Sequence, residues 1–205
     1  MDVSDEKLSE LRALFSPESE LCHNKCKELS KEYDSSLSLE KETVSEYSPG
    51  IISNEEYVCR QVFSPIHYDS DTGEIKSAAF DDVTNKGLSV NRLSCLDEAG
   101  IHQLGITKAE NDNVRKGNSE RVYLGFAKSN VNEIRRIIDK FEDSDKEKRI
   151  FAVYDSSLAD VPSHADICQI EHNQCSSSLG KKATNMLRRA RLQEKFCDFI
   201  KIQKE

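Results

Sequence analysis

This chain has no tryptophan, and only two methionines, four prolines and eight glycines in 205 residues. Without tryptophan, and without aromatic residues interleaved among basic ones, it has no platform on which nucleic-acid bases would stack, so nucleic acid is not the expected partner. It contains no G-x-x-x-x-G-K-[ST] phosphate loop, no G-x-S-x-G nucleophile turn and no H-E-x-x-H metal motif. No apolar run approaches the roughly 18–20 residues of a membrane-spanning helix. The opening stretch MDVSDEKLSE is acidic and polar, unlike a secretory signal. Seven cysteines is an odd count, irregularly spaced. These features fit reduced thiols and a cytoplasmic location. No membrane contact, metal or cofactor is expected.

Leucine, isoleucine, valine and phenylalanine make up about a quarter of the chain, enough for a real core. The net charge of -8 is unevenly spread. Residues 1–50 hold twelve acids against six bases, whereas residues 181–205 hold eight bases against three acids. Only the last segment could attract a polyanion, and the simpler reading is of two complementary or solvated faces.

The chain reads as three parts. Residues 1–33 form a helical appendage. Its first helix, about Asp5–Phe15, places Leu8, Leu11, Leu14 and Phe15 on one face, a candidate partner-binding surface. Its second has Ser16 as cap and Pro17 at the first helical position, with Leu21, Cys22, Cys26, Leu29 and Tyr33 on one face. Cys22 and Cys26 are spaced to share a metal, although a core-face thiol pair is the plainer reading. Residues 34–50 read as a Ser/Glu-rich linker. Residues 51–205 read as a compact domain.

In that domain, Tyr57–Phe63, Gly87–Leu93, Arg121–Lys128 and Arg149–Tyr154 have strand patterns. Leu96–Leu104 reads as a helix weakened by Gly100, and residues 108–120 as a polar loop. Asn130, with Glu133 in capping-box position, starts a helix striped by Ile134, Ile137, Ile138 and Phe141. Residues 142–149 read as its exit loop, and the unit as either a parallel crossover or an antiparallel return. A last helix, about Ser178–Ile200, is offered caps by Ser176, Ser177 and Ser178. It turns Leu179, Ala183, Leu187, Ala190, Phe196 and Ile200 inward and Arg188 and Arg189 elsewhere. The fold class is α+β, with α/β as the alternative: a small mixed sheet covered by two or three helices.

The stretch HADICQIEHNQC holds His164, Cys168, His172 and Cys175. On a helix the four would share a face but span roughly 16 Å, too far for one zinc. As a strand, His164, Asp166 and Cys168 share one face and Ala165 and Ile167 the other. The strand reading is preferred, and it makes His164 and Asp166 the polar pair of interest.

The segments CRQVFSPIHYDSDTGEIKSAAF, GLSVNRL, YDSSLADVPSHADI and KKATNMLRRAR, in that order, resemble a widespread family of small uncharacterised bacterial proteins with the pattern R-x-V-x-P, G-x-I-x-S-x-A-F, L-S-V and P-x-H-A-x-I. The likeness covers about Val58–Leu192. It implies recurring polar positions at Arg60, Ser77, Ser89, His164 and Asp166, and no settled activity. Ser64 stands before Pro65 where the pattern suggests a histidine, for which His67 is a substitute. The leading expectation is an accessory or interaction protein acting with a protein partner, of the kind found in bacterial defence or toxin–immunity gene clusters. The alternative is a nucleotide-using enzyme. Arginine on an early strand, serine on a middle strand and a polar residue on a late one resemble ADP-ribosyltransferases. That resemblance implies a catalytic set of Arg60, Ser89, His164 and Asp166, with Arg60 gripping phosphates and His164 as acid or base. A late catalytic glutamate is missing, Glu171 being the nearest.

Overall fold

A computed structural model describes residues 4–16, 18–117, 120–141, 144–176 and 178–203. Pro17, Ser177 and residues 118–119 and 142–143 of the two expected loops lie outside them. The chain runs through α1 (Asp5–Ala13), α2 (Lys25–Lys31), α3 (Tyr33–Leu39), β1 (Tyr57–Ser64), β2 (Leu88–Arg92), α4 (Glu98–Lys116), β3 (Val122–Asn130), α5 (Val131–Arg135), β4 (Ile138–Phe141), β5 (Ser144–Arg149), β6 (Phe151–Tyr154), β7 (His164–Gln169), α6 (Lys181–Glu194) and β8 (Asp198–Lys201). A 3-10 turn over Ser77–Thr84 precedes β2.

The fold is α+β. Six strands pair in the order β6-β7-β2-β1-β3-β8, and β4 and β5 form a separate hairpin. Every pairing is antiparallel, where a mixed sheet was expected. β3 and β6, read as joined by either a parallel crossover or an antiparallel return, run in the same direction but are not neighbours, because β1, β2 and β7 lie between them.

Alternation along the strands sorts side chains to two faces. Val58, Val62, Leu88, Val90, Val153, Ala165 and Ile167 build the main core, sealed by Phe80 and Val83 of the 3-10 turn, Ile134 of α5 and Leu192 of α6. The other face carries two separate covers. α4 lays Ile101 and Ala109 over Cys59, Phe126, Phe63 and Tyr123. The N-terminal helices bring Leu8, Leu11, Leu14, Cys26, Leu29 and Leu39 onto Ala152, Tyr154, Cys168 and Ile170. Over β2, between these covers, the face is left open.

Several sequence expectations change. Leu8, Leu11 and Leu14 are buried, and the Phe15 ring packs 4.9 Å from that of Tyr154, so this face is occupied by the protein's own sheet and offers nothing to a partner. Residues 34–50 include most of α3, whose Leu39 is fully buried, where a linker was read. α4 continues to Lys116 through the segment read as a loop. The helix after Asn130 ends at Arg135, and Ile138–Phe141 turns into β4 because it pairs with β5. α6 ends at Glu194, and β8 adds to β3 at the sheet edge. Its buried residues are Thr184, Arg188 and Leu192, while Leu187 is exposed. Among the described residues no helix is long and apolar enough to cross a membrane.

Candidate functional site

β1 and β2 pair only at Val58–Arg92 and Cys59–Asn91. Beyond the last rung, the Arg60 side chain lies between them. Its Nε donates to the Ala79 carbonyl and its Nη1 to the Ser89 carbonyl, both at 2.9 Å. Two backbone acceptors are satisfied this way, and the guanidinium is held rigidly. Among the described residues no carboxylate reaches ion-pair distance of it. Burial pulls the Arg60 pKa down to about 10, with Arg121 adding to the fall and Asp82 and Asp166 opposing it. The group is still cationic at neutral pH.

Arg60 lines a pocket of about 440 Å3 in the open stretch of the sheet. Its floor is Arg60, Gln61, Ser89, Asn91 and His164; α4 supplies one wall with Leu104, Thr107, Lys108, Asn111 and Asp112. The β6–β7 loop supplies the other with Leu158, Asp160 and Val161. That loop is pinned by reciprocal 3.1 Å backbone bonds between Leu158 and Val161. The volume falls in the range of small-molecule sites.

Three of the four candidate catalytic residues therefore meet here. Ser89 faces the pocket, and its hydroxyl makes no hydrogen bond among the described residues. His164 starts β7. Its Nδ1 lies 2.9 Å from the Ser156 carbonyl, which can only accept, so Nδ1 carries the proton. In the neutral ring, Nε2 then holds the lone pair; among the described residues it makes no hydrogen bond, and it stands 4.0 Å from Asp166 Oδ1. Asp166, the fourth candidate, does not line the pocket. It is buried next to His164, ion-paired with Lys25 of α2 and accepting from Ser156 Oγ at 3.1 Å. Burial alone would raise the Asp166 pKa, but Lys25 and then His164 outweigh it and leave it lowered. Asp166 is thus a charged support under the histidine.

Gly87 makes room for this support. Its φ is +86°, and a Cβ there would come within 3.0 Å of Cys168 Sγ, 3.1 Å of Lys25 Cε and 3.3 Å of Asp166 Cγ. Cys26 and Cys168 touch in the same layer as buried thiols, and Lys25 also stacks 4.6 Å over the Phe15 ring.

Sequence reasoning missed the α4 wall. Lys108 is an exposed residue, yet protein atoms crowd around its ammonium on the concave rim of the pocket. That loss of solvent, then Arg60 and Arg121, draws it down to about 8. Arg121 itself lies 4.0 Å over the Phe63 ring and pairs with Asp112. The spacing of Thr107, Lys108, Asn111 and Asp112 would have marked one helical face.

The remaining candidates stand elsewhere. Ser77 is exposed at the start of the 3-10 turn and does not line the pocket. His67 is buried edge-on to Phe63, with no partner for Nδ1 among the described residues. Burial, then Arg60 and Arg121, hold it down to about 3, so it is neutral at physiological pH. Glu171 lies beyond the far end of β7, paired with Lys148 at 2.8 Å. β7 fits the strand reading of the His/Cys stretch, and among the described residues no cluster of three metal-type side chains exists.

Chemically, the pocket offers a fixed guanidinium and a lysine for an anion, a free hydroxyl, and an imidazole with an open nitrogen. No protein-family model, curated protein or solved structure matches this chain.

Proposed function

We propose that this protein is a nucleotide-using enzyme with a grip on its substrate like that of the ADP-ribosyltransferases. One observation carries the reading: Arg60, Ser89 and His164, from three strands and more than a hundred residues of sequence, line a single pocket. In this reading Arg60 and Lys108 hold the phosphates. A buried guanidinium with no carboxylate beside it favours an anionic ligand, because the ligand supplies the missing countercharge. The Ser89 hydroxyl is placed to bond a sugar hydroxyl, and His164 Nε2 to accept a proton from an attacking group. Asp166 and Lys25 orient the imidazole from below. The partner-docking reading loses support because the helix face it needed is buried.

The test is calorimetric titration of the full chain with NAD+ and with adenosine monophosphate (AMP). Arg60→Lys keeps the charge but loses the planar fork, and is expected to weaken binding by about tenfold or more. His164→Ala is expected to leave binding nearly unchanged and to stop NAD+ consumption followed by chromatography. If neither nucleotide binds, or Arg60→Lys binds as well as the unaltered protein, the reading is wrong.

A further inference from the structure

The pocket does not end at Thr107 and Val161. These two residues, with Leu104 and Asp160, also line a second compartment of about 270 Å3. It lies between the first half of α4 and residues 160–163, and its walls include the side chains of Leu96, Leu104, Val161 and Pro162. Polar groups sit among them. Gln103 Nε2 donates to Thr107 Oγ1 at 3.3 Å, and Ser163 Oγ lies 3.1 Å from Asn91 Oδ1. The exposed Cys95 thiol lines it as well.

The two compartments share a wall and differ in character. The first is lined by Arg60 and Lys108, whereas among the described residues no cation lines the second. A ligand that fills both must be charged at one end and mostly apolar at the other, with a few polar atoms at the apolar end. Free phosphate would use only the first compartment. A sugar phosphate would leave the leucine and proline walls against water.

We propose that the second compartment receives the heteroaromatic base of the ligand whose phosphate Arg60 holds, so that the cleft as a whole takes a nucleoside phosphate. This rests on the nucleotide reading above and adds where the base lies. The apolar walls bury the ring faces, and the Gln103 carboxamide and Thr107 hydroxyl are within reach of its edge.

Cys95 makes the proposal measurable without any turnover. The full chain is alkylated with iodoacetamide and each cysteine is followed by peptide mass mapping. Cys197, exposed elsewhere, is the internal control. One arm contains AMP, the other inorganic phosphate. With AMP at ten times its dissociation constant, alkylation of Cys95 is expected to slow by about tenfold while Cys197 is unaffected. Phosphate is expected to protect neither. A second variant, Gln103→Trp, changes an exposed helix position and fills the mouth of the second compartment. It is expected to weaken AMP by about tenfold and to leave phosphate affinity and melting temperature unchanged. If AMP binds in an Arg60-dependent way but leaves Cys95 fully reactive, the base lies elsewhere and the nucleotide reading survives. Equal protection by phosphate overturns the proposal too. If AMP does not bind the unaltered protein but NAD+ does, this proposal falls and the nucleotide reading survives; if neither binds, both fall.

Discussion

Among the described residues three arginines are buried, Arg60, Arg92 and Arg188; Arg92 is paired with Glu56, and the other two stand in regions built differently. Arg188 of α6 donates from Nε to Asp139 Oδ2 at 2.6 Å, from Nη1 to the Glu171 carbonyl at 2.6 Å and from Nη2 to the Asn173 carbonyl at 2.7 Å. Each nitrogen has an acceptor, and a carboxylate balances the charge. Arg60 has two carbonyls and no carboxylate. Burying a charge is costly unless it is paired. Around Arg188 the protein completes the pairing itself; around Arg60 it leaves the pairing to solvent or to a ligand. Burial alone does not tell a structural arginine from a functional one, but the balance of charge does.

Lys25, a further buried cation, stands on the balanced side, and Lys25→Met gives the largest expected effect. It strips the buried Asp166 of its ion pair and loosens the N-terminal helices, at a cost of about 3–5 kcal/mol in denaturant unfolding. The acid limb of stability follows from the same pair. Asp166 is lowered from 3.8, so its contribution is complete above that value and is lost as pH falls through the still lower folded value. Asp166→Asn is expected to flatten the stability curve below about pH 4, measured by thermal melts across pH.

Arg188→Met comes next, at about 3 kcal/mol, because Arg191 still pairs with Asp139 at 2.6 Å and softens the loss. The same change at Arg60 is expected to cost only about 1 kcal/mol. It leaves two carbonyls short of a donor but strands no carboxylate. Equal losses in parallel unfolding experiments would erase the distinction between the two regions. The smallest effect sharpens it. Lys108, near 8, loses its proton between pH 7 and pH 9. Binding of sulfate, whose charge is constant over that range, is expected to weaken about threefold by calorimetry, and Lys108→Gln to be weaker at pH 7 and flat between the two.

The strands were legible because their chemistry is local. Leu88 and Val90 alternate with Ser89 and Asn91, Ala165 and Ile167 flank Asp166, and that period survives in the structure. Arg60, Ser89 and His164 could therefore be placed on strands. Their meeting could not be read, because it depends on where β1 and β2 part. α4 was half missed for a physical reason. Its buried residues are Ile101, Gly105 and Ala109, a stripe too small to register as apolar. Gly105 lets the Tyr123 ring lie against the helix, where any Cβ would collide with it. Ile138 and Phe141 misled in the opposite way. They continue a helical spacing from Ile134, but pairing with β5 overrides that propensity. Arg188 read as a surface residue because its partner, Asp139, is distant in sequence and fell inside the misassigned helix.

The Lys25–Asp166 contact joins residues 141 positions apart. Contacts of such separation are made late, since a long loop must close before they form. During synthesis, α2 leaves the ribosome long before β7 exists, and it waits without the strand it covers. β8 comes later still. A nascent chain that ends before β7 has neither His164 nor the Asp166 beside it. The pocket is therefore assembled only once β7 has been made and has paired with β2.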